Sequence, residues 1–154
     1  MHRPALPFIV IGGAAIVAGG LVSAASALTP SYTASWAVAY LVLVVGAAQL
    51  ILGLGQSSLA TKRLTGSLIV GEVVAFNLGN VGVLAGTVFS QPVVVYVGAA
   101  LIVAAQALFL WAVRGGRSVH SPGHSPLRWG YRALIVVLLV SIPVGLVIAS
   151  LRTA

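Results

Sequence analysis

The sequence predicts an all-α integral membrane protein, a five-transmembrane-helix bundle with its amino terminus cytoplasmic and its carboxyl terminus outside. Three observations indicate this class. Of the 154 residues, 60% are hydrophobic and only 6% are charged, whereas soluble domains carry about a quarter charged residues. Five apolar runs are long enough to cross a bilayer, which takes about 20 helical residues. The basic residues gather in the connectors that would lie on one side of the membrane.

The five predicted spans are continuously apolar, which indicates helices, because barrel strands alternate in polarity over about ten residues. Turn-forming residues separate the spans at Thr29-Pro30-Ser31, Gln56-Ser57-Ser58 and Gln91-Pro92. A polar cytoplasmic loop, 114–130, precedes the last span. The whole chain, 1–154, is therefore predicted to be a single transmembrane domain, with spans at about 6–28, 34–56, 65–89, 92–113 and 131–151.

The positions of the basic residues predict the orientation. Seven of the eight lie before the first span, between the second and third spans, or around the loop 114–130, and only Arg152 follows the last span. Because basic connectors stay in the cytoplasm, the first span runs outward. Interfacial aromatic residues agree with this orientation: Phe8, Trp111, Trp129 and Tyr131 are predicted at the inner interface, and Tyr32, Trp36, Phe89 and Tyr96 at the outer one.

An alternative interpretation of the first apolar run is a cleaved signal peptide. The small residues Ala25-Ser26-Ala27 suit a cleavage site, and Arg3 supplies a basic start. The run exceeds the 7–15 apolar residues usual in signal peptides, which favours a retained span. In the alternative, residues 1–27 are removed and four spans remain with the same loop orientation.

Glu72 is the only acidic residue of the chain, and it lies inside the third predicted span. It is seven residues from the cytoplasmic end of that span, as are Gln49 and Gln106 from the corresponding ends of the second and fourth spans. The sequence therefore predicts that these three long polar side chains lie at one depth. Glu72 is expected to hydrogen-bond Gln49 or Gln106.

The protonation of Glu72 follows from the lack of a nearby cation. No Arg, Lys or His lies in the interior of any predicted span, and an unpaired charge in a low-dielectric interior is costly, so the neutral carboxyl group is favoured. An ionised Glu72 would need an imported cation, namely a metal ion, a cationic substrate or a basic residue of a partner. Ionisable residues inside membrane-spanning segments are rare and commonly mark functional sites. Glu72 is therefore a candidate functional residue.

Asn77 and Asn80 extend a polar stripe from Glu72 along the third span. They lie about 140° and about 80° around the helix from Glu72, and about 7.5 and 12 Å further along its axis. Each is a candidate binding residue, a helix cap or an interhelical hydrogen-bonding group. For Gln49 and Gln106, interhelical hydrogen bonding is the favoured interpretation, because such bonds commonly join membrane helices.

Small residues predict close helix packing. Gly82 and Gly86 form a GxxxG pair on the third span, Gly79 precedes them on the side of Glu72, and Gly19 lies in a small-residue stripe on the first span. Such stripes let two helix backbones approach, either within one chain or between two copies.

The sequence predicts no metal site, no cofactor and no nucleic-acid partner. Cysteine is absent, and no histidine lies in a span to bind haem. His120 and His124 have a spacing that suits a metal on a helix, but the Ser, Pro and Gly residues around them predict a solvated loop. The scattered basic residues form no continuous patch for nucleic acid.

An enzyme is not expected, because a single Glu cannot supply both the general acid and the general base of a catalytic site. Two other functions remain. The favoured one is an accessory or assembly subunit of a larger membrane complex. It would lie in the plasma membrane of a bacterium, with lipid and other membrane proteins, or a second copy of itself, as partners. The alternative is a dimeric proton-coupled transporter of a small molecule or cation, with Glu72 as the protonatable site.

The transporter alternative resembles, in its logic, the small multidrug exporters, in which a membrane carboxylate exchanges a proton for a cationic substrate. Their glutamate lies in the first of four helices, whereas Glu72 lies in the third of five predicted spans. The direction in which Glu72 points distinguishes the two functions. A carboxylate that points toward an exposed flank of the bundle suits a partner contact, and one that points into an internal cavity suits a transporter.

Overall fold

The structure, a computed structural model, describes residues 4–60, 64–114 and 126–153, with side chains described as far as residue 142. These residues are helical, without a strand among them. The elements in chain order are α1 (Leu6–Ser26), α2 (Tyr32–Ala39), a π-helical segment (Tyr40–Ala48), α3 (Gln49–Leu59), α4 (Gly66–Val88), α5 (Pro92–Ala112) and α6 (Pro126–Thr153).

Within the described ranges, four helices are long and apolar enough to cross a membrane. They are α1, the continuous helix Tyr32–Leu59 that contains α2, the π-helical segment and α3, and then α4 and α5. Their bounds agree with the first four predicted spans to within three residues. The all-helical class is confirmed, and the four apolar helices are compatible with a multi-pass membrane protein. The fifth predicted span falls in α6, which is not among these four, so the five-span count and the orientation stay predictions.

The helices pack as two antiparallel hairpins. One pairs α1 with Tyr32–Leu59, and the other pairs α4 with α5. Helix α3 contacts α5, and α6 packs on both α3 and α5. The two hairpins therefore share one interior, which lies between α3, α4 and α5.

Glycines allow the backbones of α4 and α5 to approach closely. A Cβ atom on Gly98 would lie 2.6 Å from the carbonyl oxygen of Gly79 and 2.7 Å from the amide nitrogen of Val83. Gly82 faces Gly98 and Gly86 faces Val95 in the same interface, and Gly19 of α1 packs against Val42. The four glycines singled out from the sequence thus lie at helix contacts within one chain.

Three phenylalanine rings join the two hairpins. Phe109 of α5 lies with its ring centroid 5.4 Å from that of Phe8 on α1 and 6.3 Å from that of Phe76 on α4. Phe8 and Tyr131 are buried in this apolar core. The neighbouring glycines Gly53 and Gly55 leave room for their rings inside the bundle, and their depth at the inner interface stays a prediction.

Two predicted helix ends differ from the structure. Gln56, Ser57 and Ser58 were expected in a turn, but α3 continues to Leu59. The hydroxyls of Ser57 and Ser58 donate to the carbonyl oxygen of Leu54 at 2.8 and 2.9 Å, so both serines fit within the helix. The last helix begins at Pro126 rather than at 131, which shortens the predicted loop, because proline suits the first turn of a helix.

Candidate functional site

Glu72 lies in the second turn of α4 and is fully buried, with 0% of its surface exposed. The side-chain amide nitrogen of Gln56 donates to both of its carboxylate oxygens, at 2.7 Å and 2.9 Å. Hydrogen bonds to an ionised group are stronger than those between neutral groups. The partner differs from the predicted one, since neither Gln49 nor Gln106 bonds the carboxylate among the described contacts.

The extra turn of α3 explains this change of partner. Gln56 lies in that turn, on the same buried face of α3 as Gln49, Leu52 and Gly53. Gln49 lies two helical turns, about 10.5 Å, further from the end of the helix. The amide level with the carboxylate on this helix is therefore Gln56, which the sequence pattern had assigned to a turn.

Gln49 and Gln106 are buried, with 0% and 1% of their surfaces exposed. Both amide atoms of Gln49, Nε2 and Oε1, lack a hydrogen-bond partner within the described part of the chain, as does Oε1 of Gln106. Roughly 90% or more of buried polar atoms in proteins have a partner. Gln49 and Gln106 are therefore exceptions to that rule within the described part of the chain.

The register of α4 against α5 places Gln106 level with Glu72. Gly82 of α4 faces Gly98 of α5. Glu72 lies ten residues before Gly82, and Gln106 lies eight residues after Gly98, which correspond to about 15 and 12 Å along antiparallel axes. The two residues therefore differ in depth by about 3 Å, as the sequence predicted for this pair.

Asn80 forms a second polar contact further along α4. Its Oδ1 accepts a hydrogen bond from the Tyr40 hydroxyl at 2.7 Å, and its Nδ2 donates to the carbonyl oxygen of Phe76 at 2.7 Å. Asn77 is half-buried and donates to the carbonyl oxygen of Val73 at 2.8 Å. Asn80 is thus an interhelical bonding group, while the bond made by Asn77 stays within its own helix.

The π-helical segment, residues 40–48, lies between Tyr40 and α3. Tyr40 is its first residue and stacks on Trp36, with ring centroids 5.1 Å apart. Segments with π-helical hydrogen bonding are rare and occur frequently at functional sites. The segment has no signal in the sequence pattern, and it lies next to Gln49.

Tyr131 is the titratable side chain of α6 that lies near Glu72. Tyr131 is buried, its hydroxyl donates to the carbonyl oxygen of Leu52 at 3.2 Å, and it lies within electrostatic range of Glu72. Arg128 lies one turn earlier and is half-buried. In contrast, α1 carries no titratable side chain, and Tyr96 of α5 is exposed.

The described residues contain no group of three or more His, Cys, Asp or Glu side chains that could hold a metal ion. His120 and His124, which were predicted to lie in a solvated loop, fall outside the described residues.

Comparison of the chain with protein-family models, with curated proteins and with solved structures gives no match.

Proposed function

We propose that the protein is a proton-coupled transporter of a small cation, with Glu72 as the group that binds the proton. One observation carries this proposal: the only carboxylate of the chain is sealed inside the bundle and held by Gln56, rather than lying on an exposed flank. A buried carboxylate cannot meet a basic residue of a partner without rearrangement. This burial favours the transporter over a partner contact at Glu72.

Charge balance supports the same function. A net charge inside a membrane is costly, so a lone carboxylate is stable there when it carries a proton or a bound cation. A site with one carboxylate can hold either the proton or the cation, but not both at once. Binding of the cation then releases the proton, and this competition is the minimal basis of exchange.

The proposal includes the topology that the basic residues predict. In it, α6 forms the fifth span, the amino terminus is cytoplasmic and the carboxyl terminus is outside. The membrane is the plasma membrane of a bacterium, since arginine outnumbers lysine seven to one in an Ala- and Gly-rich chain. Two copies enclose the transport pathway.

An accessory subunit is the second candidate, and the exposed surface of the bundle favours it. Only 22% to 33% of the residues in the most apolar stretches of the four candidate spans are buried within the chain. The remaining apolar faces contact either lipid or other membrane proteins. The mass of the particle after gentle extraction distinguishes the transporter from the accessory subunit. Other proteins bound to the chain in a fixed stoichiometry would favour the accessory role.

Infrared spectroscopy can test the proton site directly. Glu72 is the only acidic side chain, so the band of a protonated side-chain carboxyl group can be assigned without ambiguity. In proteoliposomes, we expect this band to rise and fall reversibly with bulk pH in the wild type and to be missing in Glu72→Gln. The proposal is overturned if the band does not respond to the pH of either aqueous phase.

Proton flux tests the transport itself. Acid-loaded vesicles containing a pH-sensitive dye would be challenged with Na⁺, K⁺, Li⁺, methylammonium and neutral amino acids in turn. At least one of these solutes should trigger proton efflux in the wild type and in the control Gln91→Leu, whose glutamine is exposed. Efflux that is equal in Glu72→Gln would contradict the proposal, as would no efflux with any cation.

A further inference from the structure

We propose that Glu72 and Gln106 form a binding site for a monovalent metal cation of the Na⁺ type. This inference rests on the proposed function and names the chemical class of its substrate. The cation would take the place of the proton on the Glu72 carboxylate. Three features of the buried site point to it: the unpartnered amides, the single charge and the close packing.

The unpartnered amide oxygens supply the first step. Oε1 of Gln106 and Oε1 of Gln49 are buried acceptors without a partner within the described part of the chain. Gln106 lies level with Glu72, whereas Gln49 lies two helical turns along α3 from Gln56, which bonds the carboxylate. Gln106 is therefore the amide that is placed to share a cation with Glu72.

The chemistry of these oxygens selects a hard cation. Carboxylate and amide carbonyl oxygens are ligands that hard metal ions prefer. Glu72 offers two such oxygens, and Gln106 offers one. Gln56 is excluded from the ligand set, because it uses its nitrogen to hold the carboxylate in position.

The charge of the site selects a monovalent ion. One carboxylate and one monovalent cation make a neutral pair, whereas a divalent cation would leave a net positive charge in the membrane interior, which is costly. The protonated carboxyl group is neutral as well. The site can therefore alternate between a proton and a monovalent cation without leaving a net charge in either state.

The packing around the carboxylate selects a bare ion over an organic cation. Leu52 of α3, Phe76 of α4 and Ala105 of α5 are each fully buried, with 0% of their surfaces exposed. Phe109 closes the same region, since its ring contacts Phe76. An alkylammonium ion would have to displace these side chains, while a bare metal ion needs only the amides to rotate.

The test is calorimetric titration of Na⁺ into the purified full-length protein in detergent, in a choline buffer, at several pH values. We expect one bound Na⁺ and one released proton per chain at a pH where Glu72 is protonated. At higher pH, Na⁺ should bind more tightly and release less than one proton. In parallel, Na⁺ added at fixed pH should remove the infrared band of the protonated Glu72 carboxyl group.

Matched variants identify the ligands. Glu72→Gln should abolish Na⁺ binding, and Gln106→Leu should weaken it at least tenfold. Gln91→Leu should leave it unchanged, because that glutamine lies exposed at the start of α5. If Gln106→Leu fails to fold, Gln106→Asn keeps the amide but withdraws its oxygen by one methylene, and it should weaken Na⁺ binding as well.

The outcomes separate this inference from the proposed function. If the Glu72 band titrates with pH and another solute releases the proton while Na⁺ does not, the cation assignment is wrong and proton-coupled transport stands. If the band never responds to bulk pH, the proposed function fails, and Na⁺ exchange fails with it. Na⁺ binding that persists unchanged in Gln106→Leu would overturn the ligand set.

Discussion

The side-chain nitrogen of Gln56 donates to both carboxylate oxygens of Glu72, at 2.7 and 2.9 Å, across the contact between α3 and α4. One amide thus satisfies one lone pair on each oxygen of the only acidic side chain. The remaining lone pairs stay open to a proton or a cation. Gln56 thus holds the carboxylate in position, and under the proposed function Glu72 is the group that binds the proton.

The first prediction concerns this hydrogen bond. We expect Gln56→Leu to lower the free energy of unfolding by about 1–3 kcal/mol when Glu72 is ionised, since it leaves a buried charge without its donor. The loss should be smaller at low pH, where a proton neutralises the carboxylate. Thermal unfolding in detergent at low and high pH measures the difference, with Gln91→Leu as the control. An equal loss at both pH values would mean that the bond does not depend on the charge.

The second prediction concerns the Tyr40–Asn80 bond. Interhelical hydrogen bonds in membranes contribute about 0.6 kcal/mol on average and at most about 1.7 kcal/mol. We expect a double-mutant cycle of Tyr40→Phe and Asn80→Leu to give a coupling free energy within this range. Unfolding of the two single variants and the double variant by denaturant provides the measurement. Tyr96→Phe, at an exposed tyrosine, should have no effect, and additive losses in the cycle would show that the two side chains are not coupled.

Much of this fold could be predicted from the sequence, because apolar run length alone determines where a helix can cross a bilayer. The depth shared by Glu72 and Gln106 followed from their equal distances to the helix ends, since α4 and α5 begin and end close to the predicted residues. The same depth predicted for Gln49 is wrong, because α3 continues to Leu59 and brings Gln56 to the carboxylate instead.

The partner of Glu72 could not be predicted, because Gln56 precedes two serines and such a run is typical of a turn. In the structure, Ser57 and Ser58 bond back to Leu54 and extend α3. The π-helical segment has no compositional signature either, since its residues are as apolar as those of an α-helical span. Both features depend on tertiary contacts, which periodicity does not report.

The third prediction concerns the close approach of α4 and α5. We expect Gly98→Ala to destabilise the protein strongly, because the added Cβ atom would lie 2.6 Å from the carbonyl oxygen of Gly79 and 2.7 Å from the amide nitrogen of Val83, and backbone atoms cannot move aside alone. Gly20→Ala is the matched control, since a Cβ atom there meets nothing within 4 Å. The melting temperature in detergent should fall for Gly98→Ala and stay level or rise for Gly20→Ala. Equal melting temperatures would show that the two helices separate easily.

The fourth prediction concerns the membrane topology, and the lack of cysteine makes it simple to test. Single cysteines would be introduced as Leu28→Cys in the connector before α2, as Ser67→Cys at the start of α4, and as Ala154→Cys at the carboxyl end. On intact cells, a membrane-impermeant thiol reagent should label positions 28 and 154 but not position 67, because the basic connectors stay in the cytoplasm.

Position 154 decides whether α6 crosses the membrane. If α6 spans it, residue 154 lies on the same side as residue 28, and both cysteines react from outside. If α6 lies along the cytoplasmic surface, residue 154 stays with residue 67 and reacts only after the cells are permeabilised. Leu28→Cys remains in the chain even if residues 1–27 are removed. It therefore marks the outer side of the membrane whether the first apolar run is cleaved or retained. Labelling of position 67 from outside would reverse the predicted orientation.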